Sequence, residues 1–186
     1  MLEGPNVILR LFAESDLDAY LAMEERESES EEWSPAMLRP IPVFKKQFAE
    51  TGFWEEGLGR MVVTDREGRL LGTVMFFKEP SYQSGYEVGY VILRKGDRGR
   101  GYMTEALRIF SAYLFETKRV PRLHITTFEG NVAARRVAEK CGYRLEGIMR
   151  QMGFLRGRYV DAARYSLLRG ECCSLAEALG GDRIGR

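Results

Sequence analysis

The residues of this 186-residue chain that are best arranged for chemistry lie in one short run, Asp97-Arg98-Gly99-Arg100-Gly101-Tyr102-Met103. Two glycines two positions apart let the backbone turn tightly, so that successive N–H groups point into one concavity suited to an anion. A helical pattern follows at once, adding unpaired N–H groups and the positive end of a helix dipole. Arg98 and Arg100 add charge, which makes a diphosphate the natural ligand. The run is neither G-x-x-x-x-G-K-[ST] nor G-x-G-x-x-G, which argues against a nucleoside triphosphate or a dinucleotide. A plain Gly-Arg connector is the alternative. Elsewhere, Asn131 follows Glu129-Gly130 and would cap a helix on any fold. His124, the single histidine, lies in a strand-like run where simple packing accounts for it. Cys141, just before Gly142, reads as a small buried apolar residue rather than a nucleophile.

The elements that must position this loop follow from periodicity and punctuation. Val7–Phe12 reads as a strand, and Ser15 or Asp16 can cap a helix with Leu17, Tyr20, Leu21 and Met23 on its apolar face. A loop holding Pro35, Pro40 and Pro42 leads to a short helix over Val43–Thr51. Strands Gly59–Thr64 and Arg69–Lys78 flank the turn Asp65-Arg66-Glu67-Gly68. The strand Tyr86–Leu93 enters the Gly-Arg loop. Met103, Ala106, Leu107, Phe110, Tyr113 and Leu114 then recur at helical spacing. Strand Arg122–Phe128, helix Asn131–Lys140 with Gly142 as its stop, and strands Tyr143–Leu155 and Arg158–Leu168 meeting at Gly157 complete the pattern. The order is β-α-α-β-β-β-α-β-α-β-β, which predicts an α/β fold with helices packed on a mixed sheet.

Composition narrows the classes. With 45% hydrophobic and 30% charged residues, the chain suits a single globular domain, expected over 1–170 with a tail, 171–186, that holds a short helix. No apolar run approaches the roughly 20 residues of a membrane span. The N-terminus lacks a basic region followed by an apolar stretch, so a cytoplasmic location is expected. Three cysteines without a C-x-x-C pair argue against a disulfide framework and a zinc site, and no metal is expected. A net charge of +1 gives no case for nucleic acid as a partner. The mean hides a split: residues 1–60 carry 13 acids against 6 bases, and residues 61–186 carry 14 against 22. Six carboxylates fall in Glu24–Glu32, a solvated loop or an attractor of cationic amines.

The run Arg98-Gly99-Arg100-Gly101-Tyr102 resembles the Q/R-x-x-G-x-G/A acetyl-CoA loop of the GNAT N-acetyltransferases. Glu87-Val88-Gly89-Tyr90 before it and Thr104-Glu105-Ala106-Leu107 after it agree. So do Asn131, Glu139-Lys140-Cys141-Gly142-Tyr143 and Glu146-Gly147 downstream. The ending, Gly157-Arg158-Tyr159-Val160-Asp161 with Tyr165-Ser166-Leu167-Leu168, is similar to the branch holding the ribosomal-protein N-terminal acetyltransferases RimJ and RimL. The likeness spans about residues 5–170 and departs from the pattern at Met103, where Gly or Ala is preferred.

This resemblance implies a GNAT fold and direct acetyl transfer from acetyl-CoA to a primary amine, first a peptide or protein N-terminal α-amine and alternatively a small polycation or amino-sugar antibiotic. Glu87 is then the expected base that drains the ammonium proton, and the backbone N–H of Val91 or Ile92 polarises the carbonyl. The implied cofactor contacts are Val91, Ile92, Leu93, Arg98, Gly99, Arg100, Gly101, Tyr102, Met103, Thr104, Asn131 and Arg135. An exposed helix face is the plainer reading of Arg135 and Arg136. Many members carry a Tyr seven residues after the motif Asn as thiolate acid, or in RimL-like members a Ser three after it. Here those positions are Ala138 and Ala134. Tyr159, after the hairpin turn and in the region that borders the acceptor in this branch, is the substitute candidate. The two alanines also motivate a rival of another class, an acyl-CoA-binding module without turnover. The oligomeric state stays open, a homodimer included.

Overall fold

Why the loop can face a cavity is decided by one strand pair. The computed structural model describes residues 1–30, 32–33, 40–78 and 85–180, without the side chains of 25–30. Its strands are β1 (Leu2–Glu3), β2 (Val7–Leu11), β3 (Leu58–Asp65), β4 (Leu70–Lys78), β5 (Tyr86–Ile92), β6 (Arg122–Phe128), β7 (Arg144–Leu155) and β8 (Arg158–Leu168). They form one sheet in the order β1-β2-β3-β4-β5-β6-β8-β7. Every neighbouring pair is antiparallel except β5 and β6, which run parallel. The sheet is mixed and flanked by helices, the GNAT arrangement that the sequence led us to expect.

The parallel pair is brief. Only Tyr86↔Leu123 and Glu87↔His124 are in register. Beyond them β5 stays with β4 as far as Ile92, while β6 stays with β8 along its full length. Two strands bound to different partners must part, and the sheet opens there into a wedge. Strand edges exposed in such a wedge carry backbone groups that something else has to satisfy.

Helices α1 (Leu17–Ser30) and α2 (Ile41–Thr51) cover one face, and α3 (Tyr102–Thr117), α4 (Val132–Lys140) and α5 (Leu175–Gly180) the other. The larger core packs α3 residues Met103, Ala106, Leu107, Phe110 and Leu114 against Val74, Phe76 and Val88 of the sheet. The smaller core packs Leu17 with Phe12, Tyr20, Phe44 and Phe53, whose rings meet edge-on, tilted and stacked. Fully burying one such large apolar side chain stabilises by roughly 1.5–3 kcal/mol, so either face alone is a substantial hydrophobic unit.

Local differences from the sequence reading have local causes. Asp16 does cap, but it closes a 3₁₀ turn over Glu14–Asp16: its carboxylate accepts from Ala13 N at 2.7 Å and from the Arg10 guanidinium at 2.6 and 2.8 Å. Helix α2 begins at Ile41 rather than Val43, because Pro42 falls in the first turn, where its missing N–H is harmless. The two-residue β1 has no sequence signature and exists only by pairing with β2. Helix α5 lies in the tail and buries Ala178 in the larger core beside α3. Pro35 and the side chains of the acidic run from 25 to 31 lie outside the described residues.

Candidate functional site

The Gly-Arg loop leaves β5 through a 3₁₀ turn, Lys95–Asp97, and enters α3 at Gly101. Gly99 (φ 74°) and Gly101 (φ 85°) both hold the left-handed conformation that disfavours a side chain, and a Cβ on either would meet no protein atom within 4 Å. The concavity beside them is open space. Gly101 caps α3 without any side-chain partner, so the first-turn N–H groups have no acceptor within the helix and face that opening.

A cavity of about 380 Å³ lies there, lined by Tyr90, Val91, Ile92, Asp97, Arg98, Gly99, Gly101, Tyr102, Met103 and Thr104, and across from them by Asn131, Ala133, Ala134, Arg136, Val137 and Lys140 of the α4 segment. A second cavity, of about 320 Å³, occupies the wedge between β5 and β6, with Trp33, Thr126, Thr127, Phe128, Met152 and Gly153 among its walls. Tyr90, Asn131 and Ala134 line both. The two cavities therefore meet at the mouth of the wedge, one on each side of those three residues.

Strand alternation fixes which backbone groups reach the opening. Leu93 N–H donates to Leu71 O at 2.9 Å, directly opposite in the β4–β5 register. Hydrogen-bonded residues alternate along an antiparallel ladder. Val91 and Gly89 therefore turn their backbone groups to β4, and Ile92, Tyr90 and Val88 turn theirs to the wedge. Of the two donors expected from sequence, Ile92 faces the opening and Val91 does not. Leu93 is corrected as well: it is 2% exposed and packs in the smaller core, away from both cavities.

The charged candidates divide similarly. Arg98 lines the cavity and donates from Nη2 to Ile92 O at 3.1 Å, bracing the loop against the strand end. Arg100 is exposed and lines neither cavity. Arg135 is turned away, its Nε donating to the Tyr165 hydroxyl at 2.9 Å and its Nη1 to Glu129 O at 3.1 Å. The cations that the sequence reading left out of the site are Arg136 and Lys140, the next helical positions toward the groove. Asn131 does both jobs available to it: its Oδ1 accepts from Ala134 N at 3.1 Å, capping α4, while the residue lines both cavities.

Glu87 sits at the last registered pair before the wedge, 3.7 Å by Oε2 from Arg164 Nη1, which also reaches Thr126 Oγ1 at 3.3 Å. An ion pair thus holds it beside the wedge, although it lines neither cavity. Tyr159 is not brought in: it is 67% exposed at the end of the β7–β8 hairpin, edge-on to Phe154, and outside both cavities. Ala138 points into the larger core, so a tyrosine could not be accommodated there without repacking, whereas Ala134 does face the junction.

Tyr90, which sequence reasoning passed over, spans that junction. Its hydroxyl donates to Ala134 O at 2.7 Å, and burial raises its pKa well above the ordinary value, which keeps the phenol protonated. Trp33 is a second omission: its ring lies so close to Gly130 that a Cβ there would overlap it. Burial pushes the Cys141 thiol up to about 12, and its Sγ donates to Thr104 O at 3.2 Å, the environment of a packing residue. His124 is 5% exposed within the sheet and lines neither cavity.

Comparison with known proteins supplies the family. Residues 6–144 match the family model described as an acetyltransferase (GNAT) domain. YdaF of Bacillus subtilis (strain 168), named as a ribosomal N-acetyltransferase, is 30% identical over 131 residues, covering 70% of this chain and 68% of its own. Among solved structures, the spermidine N-acetyltransferase from Vibrio cholerae in complex with CoA and spermine superposes with a TM-score of 0.76 at 20% identity, covering 89% of this chain and 96% of that one. RimL, the ribosomal L7/L12 α-N-protein acetyltransferase in complex with CoA, superposes with a TM-score of 0.78 at 18% identity, covering 89% and 95%. These structures share the fold, and the matched domain covers most of the chain: the protein belongs to the GNAT acetyltransferase family, in its RimJ/RimL-like branch, and is an acetyl-CoA-dependent N-acetyltransferase.

Proposed function

We propose that the chain transfers the acetyl group of acetyl-CoA to the N-terminal α-amine of a protein or peptide. The observation that carries this reading is the pair of cavities meeting at Tyr90, Asn131 and Ala134. The larger offers glycines, a helix start and the cations Arg98, Arg136 and Lys140 to a diphosphate. The smaller offers aromatic walls, Trp33 and Phe128, and the hydroxyls of Thr126 and Thr127. Among the described residues no carboxylate lines that second cavity, which suits a single amine on a chain end better than a polycation needing several acids along its length.

In this reading the Ile92 N–H polarises the thioester carbonyl, Glu87 receives the ammonium proton through water, and the neutral Tyr90 phenol, turning its one proton away from Ala134 O, donates a hydrogen bond to the departing sulfur. Arg164 holds Glu87 in place. The neutral amine attacks the carbonyl carbon, the C–S bond breaks to give the amide, and the proton shed by the nitrogen passes to the departing CoA thiolate by way of the Tyr90 hydroxyl. The relatives support the acceptor class unevenly, since one named for ribosomal N-acetylation and one acting on spermidine share this fold.

Thiol release from acetyl-CoA measured with a panel of N-terminal peptides, spermidine and an amino sugar tests the reading. Peptides should exceed spermidine in kcat/KM by about tenfold, one decade of transition-state discrimination. Spermidine as the better acceptor would overturn the peptide assignment, and no thiol release with any amine would favour an acyl-CoA-binding module.

A further inference from the structure

The cavity that accepts the diphosphate in the reading above also contains a carboxylate. Asp97 ends the 3₁₀ turn before Arg98, is only 6% exposed, and lines that cavity with Gly99 and Gly101. A buried negative charge beside an anion site repels the ligand unless something answers it. The answer comes from the β3–β4 hairpin. Arg69 Nη1 donates to Asp97 Oδ1 at 3.0 Å and to Oδ2 at 2.8 Å, across 28 positions of sequence. Its Nε donates to Asp65 Oδ2 at 2.9 Å, while Asp65 Oδ1 accepts from Arg69 N at 2.8 Å. Asp65, itself 8% exposed, thereby closes the hairpin turn and aims the guanidinium at the loop. The backbone closure of the turn needs no arginine, being made by the Gly68 N–H to Asp65 O contact and by Asp65 Oδ1 on Arg69 N; the arginine side chain adds the Nε bond to Asp65 and the reach to Asp97.

We propose that Arg69 is a positioning residue for acetyl-CoA: acting through Asp97, it fixes the start of the phosphate loop and cancels a carboxylate charge that would otherwise oppose the cofactor's phosphates. The proposal rests on the reading of this cavity as the diphosphate site. It assigns to a hairpin turn on the opposite side of β4 a share in cofactor affinity, with no direct contact between Arg69 and the ligand required.

The test is a set of full-length variants assayed with acetyl-CoA and with S-acetylpantetheine, which lacks the phosphates. Arg69→Gln should raise the KM and Kd for acetyl-CoA about tenfold with kcat at saturation nearly unchanged, the signature of lost binding rather than lost chemistry. Turnover of S-acetylpantetheine should not move. Arg69→Lys, which keeps the charge and loses the fork, should fall between, and it serves if the glutamine variant folds poorly. Adding Asp97→Asn to Arg69→Gln should recover most of the affinity, because the opposing charge is gone. Equal losses for both acyl donors, or a double variant no better than Arg69→Gln, would overturn the proposal. Gly101→Val in the same series separates the two layers: unchanged acetyl-CoA affinity there sinks the cavity assignment and this inference with it. Lost affinity in Gly101→Val beside wild-type affinity in Arg69→Gln sinks the inference alone.

Discussion

Glu87 and Tyr90 make opposite demands on solvent. In the proposed mechanism Glu87 passes a proton to water, and its side chain, 18% exposed beside Arg164, keeps a narrow contact with solvent. Tyr90 must keep its proton, and burial holds the phenol neutral. Glu87→Gln should therefore lower kcat by about 10²–10⁴-fold, the usual span for general acid–base work, with acetyl-CoA affinity intact. The deficit should shrink as pH rises past the amine's pKa, because the acceptor then arrives already neutral; a deficit constant with pH would remove Glu87 from proton transfer. Tyr90→Phe should cut kcat by roughly 10²-fold, the cost of removing one donor to developing charge, with little change in KM. Wild-type kcat in that variant would remove the phenol from the mechanism. The sequence singles out Glu87 through its place before the loop, and the structure sets it beside the wedge. The sequence hid Tyr90 because strand periodicity tells which face a residue takes but not what stands across from it, here the Ala134 carbonyl. Tyr159 failed for a related reason: a hairpin residue can face the acceptor or the solvent, and twist and register irregularities in β7 decide which.

At the scale of elements, the glycine loop and the helices around it were readable, since left-handed glycines, a capping Asn131 and an apolar stripe on α3 each leave a local mark. The wedge was not. It arises from β5 and β6 choosing different antiparallel partners, a tertiary decision with no local signature. One consequence can be checked through Gly72, where a Cβ would overlap Val91 O. Gly72→Ala should force β4 from β5 and lower stability by about 1–3 kcal/mol, the range for overpacking a tight site, with a matching loss of acetyl-CoA affinity as Ile92 shifts. Denaturant melts and calorimetry on the same variant read both; an unchanged melt would show that the two strands yield without cost. Arg135 and Arg136 illustrate the limit of helical phase: adjacent residues differ by about 100°, so one faces Tyr165 and the other the groove.

Over the whole molecule, the tail and the helices beside it bury thiols. Cys141 and Cys172 are both pushed by burial from an ordinary value near 9 up to about 12. Unfolded thiols ionise first as pH rises, so the stabilisation these groups contribute is complete below about pH 9 and lost as pH climbs toward 12. Urea melts between those limits should show a fall in stability that flattens in the Cys141→Ala,Cys172→Ala variant; an equal slope in both would assign the alkaline loss to other groups. The charge split along the sequence, acidic to residue 60 and basic beyond, also takes on a spatial sense. Arg98, Arg136 and Lys140 come from the basic part and gather around the loop cavity.

The central claim is that the cofactor threads from the glycine loop to the wedge between β5 and β6. A crystal structure of the protein with CoA tests it most directly. The claim predicts the diphosphate against the backbone of Gly99–Gly101 and the start of α3, and the thiol end beside Ile92 and Tyr90 at the junction of the two cavities. CoA density lying elsewhere, or entering the wedge from the Trp33 side with its phosphates away from Gly101, would contradict it.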